Sequence, residues 1–386
     1  MEGFFKNDYM KLLCVFIAFV MAFFIGRAIV LKLYVVAFRR RLFDPVDGRK
    51  THLGLIPRMG GMAFLPTQCC IFMLVIIVLR ALDIIYIDYE ILVRYLLLIM
   101  GLGLLFITGI VDDLMGIYYT WKFGAQFAAA IFFPVSGLWI SHLDGLFGLY
   151  IIPIWLGVPL TIFVVMFIIN AFNLIDGLDG LCSGLTILAC TVLGTLFFRH
   201  ESWLPVIFSF ITVGTLAPFF YYNVYGNTKR RRRIFMGDTG SLTLGLTVAF
   251  LAISYTAGDP ETVKLSGNLS VAFSVVIVPV FDAIRVILIR FFAGKPLFLP
   301  DKNHIHHYLM SLGFSKQATL FSILSIALAF IVINMGFVRF VLNNQTIVLL
   351  LDLTLWFGGL WLLGIIRRNR KVTQPIVNEE VEQDEN

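Results

Sequence analysis

The chain has 386 residues, 59% of them apolar and only 14% charged, where a soluble domain carries about 25% charged residues. With a mean hydropathy of +0.90, no water-soluble fold could hide so much apolar surface, which excludes a soluble enzyme, a nucleic-acid binder, a disordered chain and a disulfide-rich secreted domain. The formal charge of +6 gains meaning only from its distribution across a membrane.

Eleven apolar stretches of bilayer-crossing length follow along the chain, at 11–37, 60–80, 91–111, 123–141, 150–170, 181–199, 204–221, 240–256, 269–290, 318–338 and 346–366. They predict an all-α, polytopic integral membrane protein with about eleven transmembrane helices. Residues 1–366 are expected to form one transmembrane domain, the catalytic one if the polar clusters described below carry chemistry, and 367–386 a charged tail. The first stretch reads as a retained helix, because Arg27 and Lys32 follow its apolar run and no small-residue cleavage site appears. The connections 38–58, 112–122, 171–180, 222–239 and 290–317 and the tail from 367 carry 20 Lys and Arg, against 7 on the opposite side. By the positive-inside rule the N-terminus lies outside and the C-terminus in the cytoplasm. The acidic final dozen residues read as disordered. Cys14, Cys69, Cys70, Cys182 and Cys190 all fall in apolar stretches without CxxC or metal-ligand spacing, and read as small hydrophobes.

The unusual polar clusters collect on the cytoplasmic side. In chain order they are Arg49-Lys50-Thr51-His52 with Pro57-Arg58-Met59-Gly60-Gly61, then Asp112-Asp113, then the run from Asn170 and Asn173 through Asp176-Gly177 to Asp179-Gly180. Phe235-Met236-Gly237-Asp238-Thr239-Gly240-Ser241 and Asp301-Lys302-Asn303-His304-Ile305-His306-His307 follow. A one-sided constellation suits an enzyme working at the inner leaflet; a conduit needs polar groups through the bilayer's depth.

Asp112 and Asp113 end the third span. Adjacent carboxylates cannot face the same way, so one is expected to serve a metal or proton and the other a supporting partner, the bland reading being a solvated helix end. Asn173, Asp176 and Asp179 either stack on one helical face or, given Gly177 and Gly180, line a bent turn. Both arrangements gather the hard oxygen donors that Mg²⁺ takes alongside substrate phosphates. A simple Asx-rich cap is the less costly-looking rival, but carboxylates at membrane depth cost about 2.5–3.5 kcal/mol each on insertion scales. Phe235 to Ser241 reads as an aromatic platform, a flexible turn and a helix N-terminus suited to phosphate, or as a plain N-cap by Asp238. His304, His306 and His307 lack the Cys or HExxH context of a zinc site, so acid–base or phosphate-binding roles are favoured. No GxxxxGK[ST] or strand-borne GxGxxG occurs, which argues against ATP-driven or dinucleotide chemistry.

These motifs, in this order over roughly residues 40–310, resemble the polyprenyl-phosphate N-acetylhexosamine-1-phosphate transferase superfamily, of glycosyl transferase family 4 type. His-Ile-His-His at 304–307, preceded by Asp301-Lys302, is most similar to the bacterial undecaprenyl-phosphate GlcNAc-1-phosphate transferase branch. The resemblance implies transfer of a HexNAc-1-phosphate from a UDP-sugar to a polyprenyl phosphate with release of UMP, initiating a cell-envelope polysaccharide. It implies Mg²⁺ as cofactor, with Mn²⁺ able to replace it, and a multi-pass protein of the bacterial inner membrane whose active site faces the cytoplasm. Asp112 matches the residue that deprotonates or positions the lipid phosphate, with Asp113 its neighbour. Asn173 and Asp238 match metal ligands, and Asp176 and Asp179 share their acidic pocket. Phe235 matches a uracil-stacking aromatic, Asn223 and Lys122 nucleotide contacts, Lys50 and Arg58 the basic loop near the phosphates, and His304, His306 and His307 the loop at the sugar phosphate. The implied partners are the UDP-sugar donor, the polyprenyl phosphate acceptor and membrane lipid, with no nucleic acid, and the family suggests a homodimer. The stretch between Asn223 and Phe235, with its Gly-Asn-Thr-Lys-Arg-Arg-Arg-Arg, departs from the pattern; Arg230 to Arg233 are expected either to bind anionic lipid head groups or to serve only as a topology signal.

Direct in-line attack by the lipid phosphate is favoured over a covalent aspartate, because no carboxylate is marked out as a nucleophile. The rival within the class is phospho-N-acetylmuramoyl-pentapeptide transferase. The rival from another class is a secondary transporter of an anionic nucleotide-sugar or lipid, for which Asp282 and Arg285 are the available intramembrane pair. At i, i+3 those two neutralise each other.

Overall fold

The computed structural model describes residues 2–40, 57–226, 233–257, 268–295, 303–340 and 344–373. In chain order the helices are α1 (Glu2–Arg40), a 3-10 turn (Gly60–Ala63) running into α2 (Phe64–Ala81), α3 (Tyr89–Met115) and α4 (Tyr119–Val135). A short hairpin of β1 (His142–Leu146) and β2 (Leu149–Ile151) follows. Then come α5 (Ile154–Ile175), α6 (Leu181–Arg199), α7 (Trp203–Val224), α8 (Asp238–Ala257), α9 (Asn268–Ser274), α10 (Ile277–Phe292), α11 (Ile305–Ser311), α12 (Lys316–Phe340) and α13 (Gln345–Thr373). Among the described residues nine helices are long and apolar enough to cross a membrane: α1, the turn with α2, α3, α5, α6, α7, α8, α12 and α13. The fold is all-α and polytopic.

The two remaining expected spans take a different form. The stretch 123–141 is helical only as far as Val135, because Gly137 adopts a left-handed φ of 76° and ends the helix as such glycines do. The chain then enters the antiparallel hairpin, in which His142 pairs with Ile151 and Leu146 with Leu149. The stretch 269–290 breaks between Ser274 and Ile277. Pro279 can neither donate to the carbonyl of Val275 nor fit against it, so α10 starts afresh.

Helix α8 is the axis of the bundle, packed by α3, α5, α6 and α9; 83% of its apolar window is buried, against 11% for α13. Small residues permit this. A Cβ on Gly245 would stand 2.8 Å from the Cα of Ile169, and one on Gly109 of α3 would stand 2.4 Å from the Cα of Thr239, so backbones approach as they do in membrane helix pairs. The buried threonines satisfy their own hydroxyls, Thr243 Oγ1 donating to the Thr239 carbonyl at 2.8 Å and Thr247 Oγ1 to that of Thr243 at 2.9 Å. The N-terminus of α8 is thereby fixed against the C-terminus of α3.

Candidate active site

The site is assembled from chain ends that meet at one end of the bundle. At the end of α3, the N–H of Gly116 returns to the Asp112 carbonyl at 2.9 Å, with Gly116 at a φ of 68°. The next N–H, of Ile117, donates to Asp112 Oδ1 at 3.0 Å. Asp112 thus closes the turn that throws the chain into α4 and brings Lys122 back beside it. Lys122 Nζ lies 2.9 Å from Asp112 Oδ2 and 3.1 Å from Asp238 Oδ1, one ammonium shared by two carboxylates from different helices.

Asp113 faces the other way. Its Oδ1 accepts the N–H of Asp238 at 2.7 Å, and its Oδ2 accepts the N–H of Thr239 at 3.0 Å and the Thr239 hydroxyl at 2.6 Å. It therefore caps α8 from a neighbouring helix. This alters both expectations for the α8 N-terminus: the first N–H groups are occupied by Asp113 and are not open to phosphate, while Asp238 is relieved of capping and turns its carboxylate to the pocket. Gly237 makes this possible. Its φ is 76°, and a Cβ there would lie 2.6 Å from Asp113 Oδ2.

Helix α5 runs through Asn173 to Ile175, and the residues 176–180 form a turn ending at Gly180 with a φ of 82°. Of the two geometries open to Asn173, Asp176 and Asp179, the chain adopts a mixture, a helical asparagine followed by a bent acidic turn. Asn173 Nδ2 donates to Asp238 Oδ1 at 2.5 Å and to Ser241 Oγ at 2.8 Å, leaving its amide oxygen as a hard donor. Burial raises the Asp176 carboxyl well above the ordinary carboxylate range; the Asp238, Asp179 and Asp113 carboxylates push the same way and Arg58 opposes them. Asp179 is paired with Arg233, so the last arginine of the basic run is tied to the acidic turn. Lys50 and Arg230 to Arg232 lie outside the described residues.

Residues 233–236 lead into the left-handed Gly237, with Ile234 and Met236 buried and Arg233 and Phe235 half-buried. The segment is laddered to the one before α2: the N–H of Phe235 donates to the Pro57 carbonyl at 2.9 Å, that of Gly60 to Phe235 at 2.9 Å and that of Gly61 to Met236 at 2.8 Å. Arg58 acts on the Asp176 carboxyl, the Phe235 backbone is fixed to the segment that carries Arg58, and Phe235 shares the less buried side with Arg233, which is paired with Asp179. Asn223 does something other than the expected nucleotide contact. Buried to 3% exposure, its Oδ1 accepts the N–H of Gly180 at 2.5 Å and its Nδ2 donates to the Ile234 carbonyl at 2.8 Å, which clamps the acidic turn to the segment before α8.

The histidines open α11. His304 Nδ1 lies 2.8 Å from Asp282 Oδ2, and the N–H of Ile305 donates to Asp282 Oδ1 at 2.9 Å. Arg285 reaches the same oxygen at 3.2 Å, so the expected i, i+3 pair exists, yet Asp282 is above all the anchor of the histidine loop. Sequence reasoning missed this, although a carboxylate inside an apolar span was the signal. His306 is 1% exposed, stacks parallel to His304 at 5.7 Å and touches His307 at 4.2 Å. It fills the gap left by Gly177, where a Cβ would be 2.7 Å from its Nε2. Burial, with His307 and His304 acting in the same sense, lowers the His306 imidazole to about 3. The histidine loop and acidic turn are thus packed against each other.

A family model, "Glycosyl transferase family 4", matches residues 95–256. The chain is 32% identical over 296 residues to the undecaprenyl-phosphate alpha-N-acetylglucosaminyl 1-phosphate transferase of Escherichia coli (strain K12), covering 76% of each. It is 30% identical to the protein of that name from Yersinia pestis, over 80% of this chain and 79% of the relative. It is also 31% identical to the probable undecaprenyl-phosphate N-acetylglucosaminyl 1-phosphate transferase of Bacillus subtilis (strain 168), over 76% and 77%. With membrane helices, acidic ends and histidine loop arranged as above, the chain belongs to glycosyl transferase family 4, among relatives that bear the name of undecaprenyl-phosphate N-acetylglucosaminyl 1-phosphate transferases.

Proposed function

We propose that this protein transfers GlcNAc-1-phosphate from UDP-GlcNAc to undecaprenyl phosphate, releasing UMP, from a site facing the cytoplasm in a bacterial inner membrane. The observation that carries this reading is the Lys122 ammonium held between Asp112 and Asp238, beside an acidic turn and a histidine loop at one end of the bundle. Both substrates are anions, and their repulsion must be offset before an acceptor oxygen can reach phosphorus.

The residues present fit a divalent cation. Asp238, the Asn173 amide oxygen, Asp112 and Asp176 are hard oxygen donors, and Lys122 already stands between two of them as a positive charge. No group of three or more His, Cys, Asp or Glu poised to hold a metal occurs among the described residues. Mg²⁺ needs no such group, since it uses one or two carboxylates and takes the rest from substrate phosphates and water. Asp238 and Asn173 would hold it; when bound, the ion supplies charge neutralisation at the pyrophosphate.

The chain's own residues do the remainder. Asp112, with Lys122 beside it, positions the lipid phosphate and holds its proton if it arrives protonated. Lys122 and Arg58 attract the donor's phosphates, and Phe235 offers a face to the uracil. A lipid phosphate oxygen forms a bond to the sugar-bearing phosphorus while that phosphorus loses its bond to UMP, which leaves with the electron pair. Asp113 holds Asp238 in place, and Asp282 holds His304 and the loop that meets the sugar phosphate. Asp282 and Arg285 are engaged with that loop, which takes away the intramembrane pair on which a transporter reading rested. The test supplies purified protein with undecaprenyl phosphate, Mg²⁺ and, in turn, UDP-GlcNAc, UDP-GalNAc or UDP-muramoyl-pentapeptide. UMP release with UDP-GlcNAc is expected; release with the pentapeptide donor alone would replace this reading by the muramoyl one.

A further inference from the structure

At the other end of the bundle lies a second cavity, of about 260 Å³, walled by α1, α3, α6, α7, α8 and the connections 82–88 and 200–202. Arg94 stands 18 residues before Asp112 on α3, which places it about 27 Å away at 1.5 Å per residue. Ser254 stands 16 residues beyond Asp238 on α8, about 24 Å away. The cavity is therefore most of the bilayer's hydrocarbon thickness from the carboxylate pocket, and on the orientation proposed above it opens outside.

Its lining combines two cations with apolar walls. Lys11 is shared between Asp8, at 3.2 Å, and the face of Trp203, at 5.1 Å. Arg94 Nε, Trp203 Nε1 and Ser254 Oγ are buried and donate to nothing among the described residues. Such donors each forfeit about 1–3 kcal/mol unless a partner arrives, and native folds leave few of them. Three from three helices around one cavity are unlike a packing accident. Glu201 is the one acidic residue in the lining, and it is exposed. Ile84, Ile91, Leu204 and Phe250 complete the walls. Tyr86 at the cavity and Tyr89 nearby are 77% and 80% exposed, the placement of interfacial aromatic side chains at head-group depth.

We propose that this cavity is a phosphate-type anion site that seats the head group of an anionic phospholipid of the leaflet opposite the active site. A cavity of 260 Å³ lies just below the range for small-molecule ligands: it admits a phosphate with its glycerol but not acyl chains, which stay in the bilayer. The apolar lining continues the chains' environment, and the unpartnered donors with Arg94 recognise the phosphate oxygens.

The test uses the full-length protein in detergent. Binding of phosphatidylglycerol and of phosphatidylcholine is measured by native mass spectrometry, and inorganic phosphate is added as a separate arm. For the unaltered protein phosphatidylglycerol should bind about tenfold tighter than phosphatidylcholine, which offers the same phosphate but adds a choline cation that Lys11 and Arg94 repel. Arg94→Gln should abolish that preference. Trp203→Phe, which keeps the ring under Lys11 but removes the N–H, should weaken phosphatidylglycerol binding about threefold and serves should Arg94→Gln fail to fold. Displacement of phosphatidylglycerol by millimolar phosphate, with stabilisation by phosphate that Arg94→Gln loses, would keep the anion site and assign it to a free phosphate. Equal binding of the two lipids with no response to phosphate, or phosphatidylglycerol binding unchanged in both variants, would overturn the proposal.

Discussion

Asp282 and His304 sit 2.8 Å apart across the gap between α10 and α11, and the same carboxylate takes the N–H of Ile305. A carboxylate 1% exposed is thereby spent mainly on the histidine loop, with Arg285 sharing one oxygen. Asp282→Asn retains an oxygen for the Ile305 N–H but loses the charge, whereas Asp282→Ala loses both. A graded loss is expected, about 10-fold for Asn and toward 100-fold for Ala, in the range of groups that orient others. It should appear in kcat/KM for the UDP-sugar with the folded state intact in both variants. Equal losses accompanied by equal drops in Tm would reduce Asp282 to a packing residue.

The shared Lys122 does not make Asp112 and Asp238 equivalent. Asp238→Asn should weaken Mg²⁺ binding, so that raised Mg²⁺ recovers part of the lost rate. Asp112→Asn should keep donor and metal binding while losing about 10²–10⁴-fold in kcat, the span for a general base, with no recovery by metal. Donor binding measured beside kcat decides, and identical metal rescue of both would make both of them ligands.

Gly237→Ala should be more damaging than its size suggests. Its Cβ would meet the Asp113 carboxylate at 2.6 Å in a backbone conformation with φ of 76°, and a left-handed residue with a side chain costs about 1–2 kcal/mol before any clash. Asp113→Ala should lose the cap, about 0.5–2 kcal/mol, and release Asp238. Both variants should lower Tm and Mg²⁺ affinity together; a fall in activity at unchanged Tm would place Asp113 in the chemistry itself.

His306 gives a signed pH effect. Its imidazole is held at about 3 in the folded protein, below the ordinary 6.5 or so, so the unfolded chain binds the extra proton between those values. Its contribution is intact above pH 6.5 and is lost as pH falls toward 3, by about 2 kcal/mol at pH 5. Apparent Tm at pH 7.5 and pH 5 should therefore fall further for the unaltered protein than for His306→Gln. Parallel falls would mean the buried ring takes up its proton in place.

Phe235→Ala should raise KM for the UDP-sugar, stacking being worth about 1–3 kcal/mol per base, and leave that for the lipid phosphate nearly unchanged. An equal rise in both would assign the ring to packing.

Much of this was legible in the sequence, and for identifiable reasons. Long apolar windows locate helices, and carboxylates that are costly in a membrane locate the site. The windows could not see Pro279 break α9 from α10, or Gly137 cut α4 short, because one residue in twenty hardly moves an average. Asp112 and Asp113 were separable in principle, but only the approach of Thr239 assigns the cap to Asp113. Asn223 and Asp282 act across 43 and 22 residues respectively, and no local pattern records such partners.

The ladder between Pro57–Gly61 and Phe235–Met236 bears on how this chain can diverge. Phe235 is registered on the segment before α2, and Asn223 fastens Ile234 just past the basic run, so the aromatic ring's position is set on both sides of residues 227–232. Insertions or deletions within that run change the loop's length without displacing the ring, so natural variation in length there should be tolerated. A single residue inserted between Ile234 and Phe235 would instead separate the Asn223 anchor from the Pro57–Gly61 bonds and displace the ring.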